Sequence, residues 1–188
     1  DFLPVEHEQL GFVRRATGNC ASYTAPSNMY CSSDGTWFSL VASSESIFVR
    51  LCNALEHPEW IEDPRFSTNP RRVENLDQLN GVLERSFSTR SFATLAACLE
   101  QAGVPFSKIY TIEDIERDPQ FVAREAIVRL PDPDYGSLPA PCIVPRVKGR
   151  NLSIPRTGPS VGEHNAQVYA DLGIQGEELD LLRKEGVV

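Results

Sequence analysis

The feature that most constrains the fold is a tight-turn dipeptide between two β-prone runs. Residues 29–31 and 36–41 carry aromatic and β-branched side chains, and Asp34-Gly35 lies between the two runs. Glycine adopts the positive φ of a short hairpin loop at little steric cost. The pattern therefore predicts an antiparallel β-hairpin.

Three amphipathic helices are predicted after the hairpin. Ser44 and Asn75 are placed to cap the first two, and Gly103 can end the third in left-handed geometry. Residues 58–72 contain three prolines and are expected to be irregular, held by burial of their aromatic side chains Trp60 and Phe66. The expected apolar faces are Ile47, Phe48, Leu51, Cys52 and Leu55; Leu76, Leu79, Val82 and Leu83; and Phe92, Leu95, Ala96 and Leu99.

The second half of the chain is expected to mix short strands and helices. The predicted elements are a strand at 104–110, helices beginning at Thr111 and Pro119, strands at 127–130 and 140–144, and helices at 163–172 and 177–185. Phe121 and Val122 are expected to face inward. Because no βαβ unit repeats, the fold class is α+β, with a small antiparallel sheet and flanking helices.

Composition excludes several classes of protein. Lys and Arg total 18 against 26 Asp and Glu, a formal net charge of −8, so a nucleic-acid partner is not expected. No apolar run reaches the ~20 residues of a membrane helix, so no membrane association is expected. The cysteines lack metal or redox spacing, which favours reduced thiols in the cytoplasm. They are Cys20, Cys31, Cys52, Cys98 and Cys142.

No self-contained catalytic or metal site is evident. Residues 158–162 match GxSxG, but the preceding prolines make a poor central strand, and His164 comes before both later aspartates. A turn leading into a helix is the better interpretation. The three histidines lack ligand spacing, so a metal site is not expected.

The order of these motifs resembles the C-terminal half of the family III CoA-transferases, also called the CaiB/BaiF family. The resemblance covers the chain from about residue 14. Its matching residues are Gly18-Asn19, Ala25-Pro26, Tyr30, Asp34-Gly35, Trp37, Phe48, Leu51-Cys52, Pro58-Glu59, Asp63-Pro64-Arg65-Phe66, Arg72, Asn75, Ala102-Gly103-Val104-Pro105, Asp118-Pro119-Gln120, Ala123-Arg124, Gly136, Pro159, Gly162-Glu163-His164, Leu172-Gly173, Leu182 and Gly186-Val187.

The resemblance implies an enzyme that moves CoA between carboxylic acids through a catalytic aspartate. Its partners would be an acyl-CoA and an acceptor carboxylic acid, with the CoA thioester as substrate and no cofactor. Two chains would form an interlocked homodimer. The aspartate is expected in an N-terminal half that is absent here, so no catalytic residue is assigned to this chain. The opening at Asp1, without methionine, is equally compatible with a trimmed protein and with a fragment.

The resemblance also divides the chain. Residues 1–26 would be a linker from the N-terminal half, and residues 27–105 the small α+β domain, whose end is placed between 90 and 145. Residues 106–188 would return to a Rossmann-like large domain.

One candidate substrate-binding element lies in the linker, formed by Gly18, Asn19 and Cys20. Family members close a loop over the thioester intermediate, and in formyl-CoA transferases that loop is a run of glycines. Cys20 and Ala21 carry side chains that restrict close backbone approach, so a formyl-CoA or oxalate enzyme is disfavoured. An ordinary linker is the alternative interpretation.

Two further functions remain open. Acyl-CoA racemases of the same fold use a glutamate near the start of the helix after the first hairpin. That position aligns with Ser44, one residue before Glu45, which favours a transferase. The second alternative is a non-catalytic binding or assembly module.

Overall fold

A computed structural model describes residues 2–150 and 152–188. The chain divides into two compact units, Asp1–Tyr110 and Thr111–Val188. The helices and strands of the first unit are, in chain order, α1 (Leu3–Leu10), β1 (Ser27–Cys31), β2 (Trp37–Val41), α2 (Glu45–Ala54), α3 (Glu59–Glu62), α4 (Asn69–Glu74), α5 (Leu76–Phe87), α6 (Phe92–Ala102) and β3 (Phe106–Lys108).

The predicted hairpin is confirmed. β1 and β2 pair antiparallel with Tyr30 opposite Phe38, and Gly35 in the connecting turn has a φ of +77°. β3 adds to the other edge of β2 with Phe106 opposite Leu40, which gives the sheet order β1-β2-β3. The small antiparallel sheet therefore begins with the turn that the sequence specified.

Helices cover the face of this sheet that carries Tyr30, Phe38 and Leu40. Phe87 of α5 packs against Tyr30 and Phe38 with ring-centroid distances of 5.0 and 5.1 Å. All three predicted helices form, and their apolar faces contribute the buried residues Phe48, Leu51, Cys52, Leu55, Leu79, Leu83, Leu95 and Leu99. The core of this unit thus lies between the sheet and α2, α5 and α6.

Two local predictions in this unit need correction. Asn75 occupies the position before α5 but does not cap it: its side-chain oxygen accepts from the Gln78 side chain at 3.4 Å instead of a backbone N–H, and its amide donates to the Arg71 carbonyl oxygen of α4 at 2.9 Å. The segment 58–72 is not irregular throughout, since α3 and the start of α4 lie within it. Trp60 and Phe66 are buried as expected.

The second unit contains α7 (Ile112–Arg117), α8 (Pro119–Ala123), β4 (Ile127–Asp132), β5 (Gly136–Pro141), α9 (Asn165–Asp171) and α10 (Glu177–Lys184). β4 and β5 form an antiparallel hairpin with Leu130 opposite Leu138. The inward orientation predicted for Phe121 and Val122 is wrong, because these side chains are 38% and 60% exposed. Leu130 and Leu179 are the buried hydrophobic residues in the described part of this unit, so α8 has little core to pack against.

None of the helices in the described ranges is long and apolar enough to cross a lipid bilayer.

Candidate functional site

The predicted loop borders a cleft in the first unit. The cleft has a volume of about 790 Å³, and Asn19 and Cys20 line it, whereas Gly18 does not. Its lining residues are Phe2, Leu3, Glu6, Arg14, Arg15, Thr17, Asn19, Cys20, Ala21, Ser22, Tyr23 and Ser27. The structure therefore brings two of the three candidate residues together at one surface, while their role in substrate binding stays a prediction.

The loop is a turn closed by Thr17 and Cys20. The hydroxyl of Thr17 donates to the carbonyl oxygen of Cys20 at 2.6 Å, and the Cys20 N–H donates back to the Thr17 carbonyl at 3.3 Å. Gly18 between them has a φ of +64°, and a Cβ at this position would meet nothing within 4 Å. Glycine is therefore required here for its backbone conformation rather than for space.

Cys20 is connected to the core by a short chain of hydrogen bonds. The side-chain amide of Asn80 on α5 donates to the Cys20 sulfur at 3.5 Å, and the Tyr30 hydroxyl donates to the Asn80 oxygen at 2.8 Å. Burial raises the pKa of Tyr30, so its hydroxyl keeps the proton that it donates. Sequence reasoning missed Asn80, because a polar residue on an amphipathic helix gives no sign of a partner 60 positions away.

Asn69 holds the chain that leaves the loop. Its side-chain amide donates to the Tyr23 carbonyl at 3.1 Å, and its side-chain oxygen accepts from the Ala25 N–H at 3.0 Å. The hydroxyl of Thr24 lies 3.4 Å from the same oxygen. One asparagine at the start of α4 therefore fixes three consecutive residues between the loop and β1.

Arg72 reinforces this attachment from inside the core. Its side chain is fully buried and donates to the carbonyl oxygens of Ala25, Phe66 and Ser43 at 2.8, 3.0 and 2.8 Å. The guanidinium also lies over the Phe48 ring, 4.3 Å from its centroid. A buried charge is tolerated when its donors are occupied in this way.

Glu45 supplies the charge that balances Arg72. Its carboxylate oxygens accept from Arg72 at 2.9 and 3.3 Å and from the Asn69 N–H at 2.9 Å, which together hold the pKa of Glu45 below its usual value. The neighbouring Ser44 hydroxyl accepts the Ile47 N–H as the cap of α2. Ser44 and Glu45, the two residues at the position where racemases of this fold carry their glutamate, therefore both have structural partners.

Among its described lining residues, the cleft combines one ion pair, Arg14 with Glu6, and one arginine without a partner. Arg14 pairs with Glu6, lowering the pKa of that carboxyl, and covers the Tyr23 ring at 5.1 Å. The exposed Arg15 guanidinium has no hydrogen-bond or ion-pair partner within residues 2–150 and 152–188. Arg15, the Asn19 amide and the Cys20 thiol can bind a carboxylate, and the one carboxylate among the described lining residues, Glu6, is paired with Arg14.

The other motifs do not assemble a site. The GxSxG segment is a turn before α9, in which the Ser160 N–H donates to Glu163 at 2.9 Å, and the described residues 152–159 directly before the serine form no strand. Within the described ranges, no three His, Cys, Asp or Glu side chains converge as a metal site would require.

A solved structure shares this fold. A CaiB/BaiF family protein from Brucella suis superposes with a TM-score of 0.71 at 29% sequence identity, covering 90% of this chain and 43% of that protein. The family model described as CoA-transferase family III matches residues 2–165. The chain therefore belongs to the family III CoA-transferases, as its motif order indicated.

Sequence relatives carry specific names within this family. The succinyl-CoA–D-citramalate CoA-transferase of Chloroflexus aurantiacus is 34% identical over 97% of this chain. A formyl-CoA:oxalate CoA-transferase of Streptomyces coelicolor is 29% identical over 73% of it. The chain spans 46% and 34% of the lengths of these two relatives.

Proposed function

We propose that this chain is the C-terminal part of an enzyme that transfers CoA from an acyl-CoA to a carboxylic acid. The observation that carries the proposal is the family match over residues 2–165. The reactive aspartate would lie on N-terminal polypeptide outside these residues. It would attack the acyl carbonyl to form a mixed anhydride and release CoA thiolate. The thiolate would then attack the aspartyl carbonyl of this anhydride, which forms an aspartyl-CoA thioester and releases the donor acid.

The acceptor would be a dicarboxylic acid. Relatives of this chain are named for citramalate, malate and oxalate, each of which has two carboxyl groups. One carboxylate of the acceptor must react, so the other is available for recognition. Arg15 would bind it, because a guanidinium with free donors pairs with a carboxylate in bidentate geometry.

The parent enzyme would be an interlocked homodimer. In support, large apolar side chains are exposed along α1 and on both sides of it, namely Phe2, Leu3, Val5, Leu10, Phe12 and Val13. Exposed apolar clusters of this kind mark contact surfaces. Sedimentation of the chain by itself should show self-association, and a monomer at micromolar concentration would count against this assembly.

The racemase alternative is disfavoured by Glu45. A base at this position must accept a proton near neutral pH, whereas Arg72 keeps the Glu45 carboxyl ionised and occupied. The activity test below distinguishes an enzyme from a non-catalytic module.

The experiment is CoA exchange between succinyl-CoA and unlabelled dicarboxylic acids. This chain, mixed with the N-terminal half of its parent protein, should form acceptor-CoA, and hydroxylamine should inactivate the enzyme once donor is present. No exchange from a correctly folded pair would refute the transferase. Scrambling of a 2-methylacyl-CoA without acceptor would identify the racemase instead.

Arg15→Gln tests the proposed acceptor site, and Arg85→Gln is its matched control. Arg15→Gln should raise the KM for the acceptor about tenfold or more with a smaller change in kcat, because it removes ground-state binding of the non-reacting carboxylate. Arg85→Gln removes an exposed arginine of α5 that does not line the cleft, and it should leave both constants unchanged. Equal effects of the two variants would exclude the proposed role of Arg15.

A further inference from the structure

The second unit contains a groove that concentrates positive charge in an acidic chain. The groove has a volume of about 400 Å³ and lies against the β4–β5 hairpin and the segment that follows it. Arg129, Arg146 and Arg150 all line this groove. With a net charge of −8 over the whole chain, three arginines at one cavity are not a consequence of general composition.

Two of these guanidinium groups have no partner within the described part of the chain. Arg146 donates to the Glu125 carbonyl oxygen at 3.1 Å, which leaves its other donors available. The guanidinium groups of Arg129 and Arg150 have no hydrogen-bond or ion-pair partner among the described residues. Like charges at one cavity repel each other, and a bound anion would relieve that repulsion.

The charge of the lining sets the charge of the ligand. Glu125 is the carboxylate among the described lining residues, so three positive charges and one negative charge leave a surplus of two. Apolar side chains form the remaining wall, including Val128, Leu130 and Ile143. A ligand that matches both features carries two negative charges on a short hydrocarbon body.

We propose that this groove binds a small organic dianion, either a dicarboxylate or a phosphate monoester. Arginine suits both, because its planar fork of donors matches the oxygens of carboxylate and phosphate. The residues involved all lie in the unit Thr111–Val188, so the proposal does not depend on the transferase assignment or on the cleft of the first unit.

The test is isothermal titration of the whole 188-residue chain with succinate and, separately, with glycerol 3-phosphate at low ionic strength. One saturable site is expected for at least one probe, and the preferred probe identifies the ligand class. Arg129→Gln and Arg150→Gln should each weaken binding about tenfold or more, because each removes a charge-assisted hydrogen bond.

Two control variants distinguish binding in this groove from binding at arginines elsewhere in the chain. Arg117→Gln removes an exposed arginine from the last turn of α7, outside the groove. Arg15→Gln removes the proposed carboxylate contact of the first-unit cleft, so succinate binding that is lost in this variant belongs to the cleft and not to the groove. Binding that belongs to the groove should change less than about twofold in Arg117→Gln and should persist in Arg15→Gln. Absence of saturable binding, or equal losses in the groove and control variants, would overturn the groove site.

Chemical modification provides a second measurement that does not rely on the folding of variants. In the wild-type chain, the preferred dianion should slow phenylglyoxal modification of Arg129 and Arg150 but not of Arg117, as read by mass spectrometry. Equal protection of all three arginines, or protection of none, would contradict the proposal.

Discussion

At the scale of single residues, Arg72 joins segments that are distant in sequence. Its guanidinium contacts carbonyl oxygens before β1, before α2 and before α4, and Glu45 balances its charge. The family resemblance includes Arg72, but the neighbouring residues show only two adjacent arginines in a proline-containing segment, and nothing local distinguishes the role of Arg72 from that of Arg71. The difference between them arises because Arg72 faces the core.

Arg72→Met should destabilise the chain by about 3 kcal/mol. The substitution leaves buried carbonyl oxygens without donors, which costs more than the lost charge pair alone. Urea unfolding followed by circular dichroism measures the effect. Arg71→Met is the control, since Arg71 forms an exposed pair with Glu74 and its loss should cost about 0.5 kcal/mol or less. Equal effects at the two positions would contradict the structural role of Arg72.

Glu45 makes part of the stability depend on pH. Its pKa is lowered in the folded chain, so its contribution is complete above the unfolded pKa of about 4.5 and disappears as the pH falls through the folded value. Wild type should therefore be more stable than Glu45→Gln near neutral pH, and the difference should shrink at acidic pH. Urea midpoints measured between about pH 3 and pH 7 test this. A difference that is constant across this range would refute it.

The candidate loop could be predicted only in part from the sequence. Family resemblance pointed to Gly18, Asn19 and Cys20, and the positive φ of Gly18 agrees with a turn. The groups that hold the loop, Asn80 and Asn69, lie on helices that are brought near it by the packed core. Such partners cannot be predicted from neighbouring residues, because the number of residues between them and the loop does not tell how far apart they lie in space.

At the scale of elements, local signals determined most of the boundaries. Ser44 caps α2, and Thr111 forms a reciprocal capping box with Asp114 at α7. Gly103 ends α6 with a φ of +63°, as its position after the helix predicted. These features depend on hydrogen bonds within about four residues, so the sequence alone specifies them. The capping prediction for Asn75 was wrong because Asn75 also ends α4, with φ −110° and ψ 33° instead of the extended backbone of a cap, and its side-chain oxygen accepts from the Gln78 side chain.

Two glycines, Gly103 just after α6 and Gly81 inside α5, should respond in opposite directions to alanine. Gly103→Ala should destabilise by about 1 kcal/mol, because an L side chain is strained at this φ. Its Cβ would also lie 2.8 Å from the end of the Arg50 side chain. Gly81→Ala, inside α5, should stabilise by up to about 1 kcal/mol through helix propensity. Thermal and urea unfolding compare the two variants, and a shift of the same sign in both would contradict the structure.

At the scale of the whole molecule, buried apolar residues are distributed unevenly. The main core cluster lies entirely within the first unit, between Ala25 and Val104. In the described part of the second unit, Leu130 and Leu179 are the buried hydrophobic residues. Since apolar burial is the main source of folding stability, the second unit should be the less stable one in isolation.

Hydrogen exchange measures this difference directly. Amides of the β1–β2 ladder should exchange about tenfold or more slowly than those of the β4–β5 ladder, because opening the first sheet exposes the main core. Both ladders are antiparallel hairpins of similar length, so they form a matched comparison. Equal protection would show that the second unit is stabilised by contacts beyond its own core.

The sequence by itself determined the hairpin, the helices with their caps and apolar faces, and the family to which the chain belongs. These features follow from short-range sterics, hydrogen bonds and periodicity, which act between neighbours along the chain. Only the tertiary structure decided that Arg72 is buried, that Asn80 meets Cys20, and that three arginines line one groove. Those arrangements depend on which helix faces and loops the core brings together, and the free energy of packing the whole unit selects them.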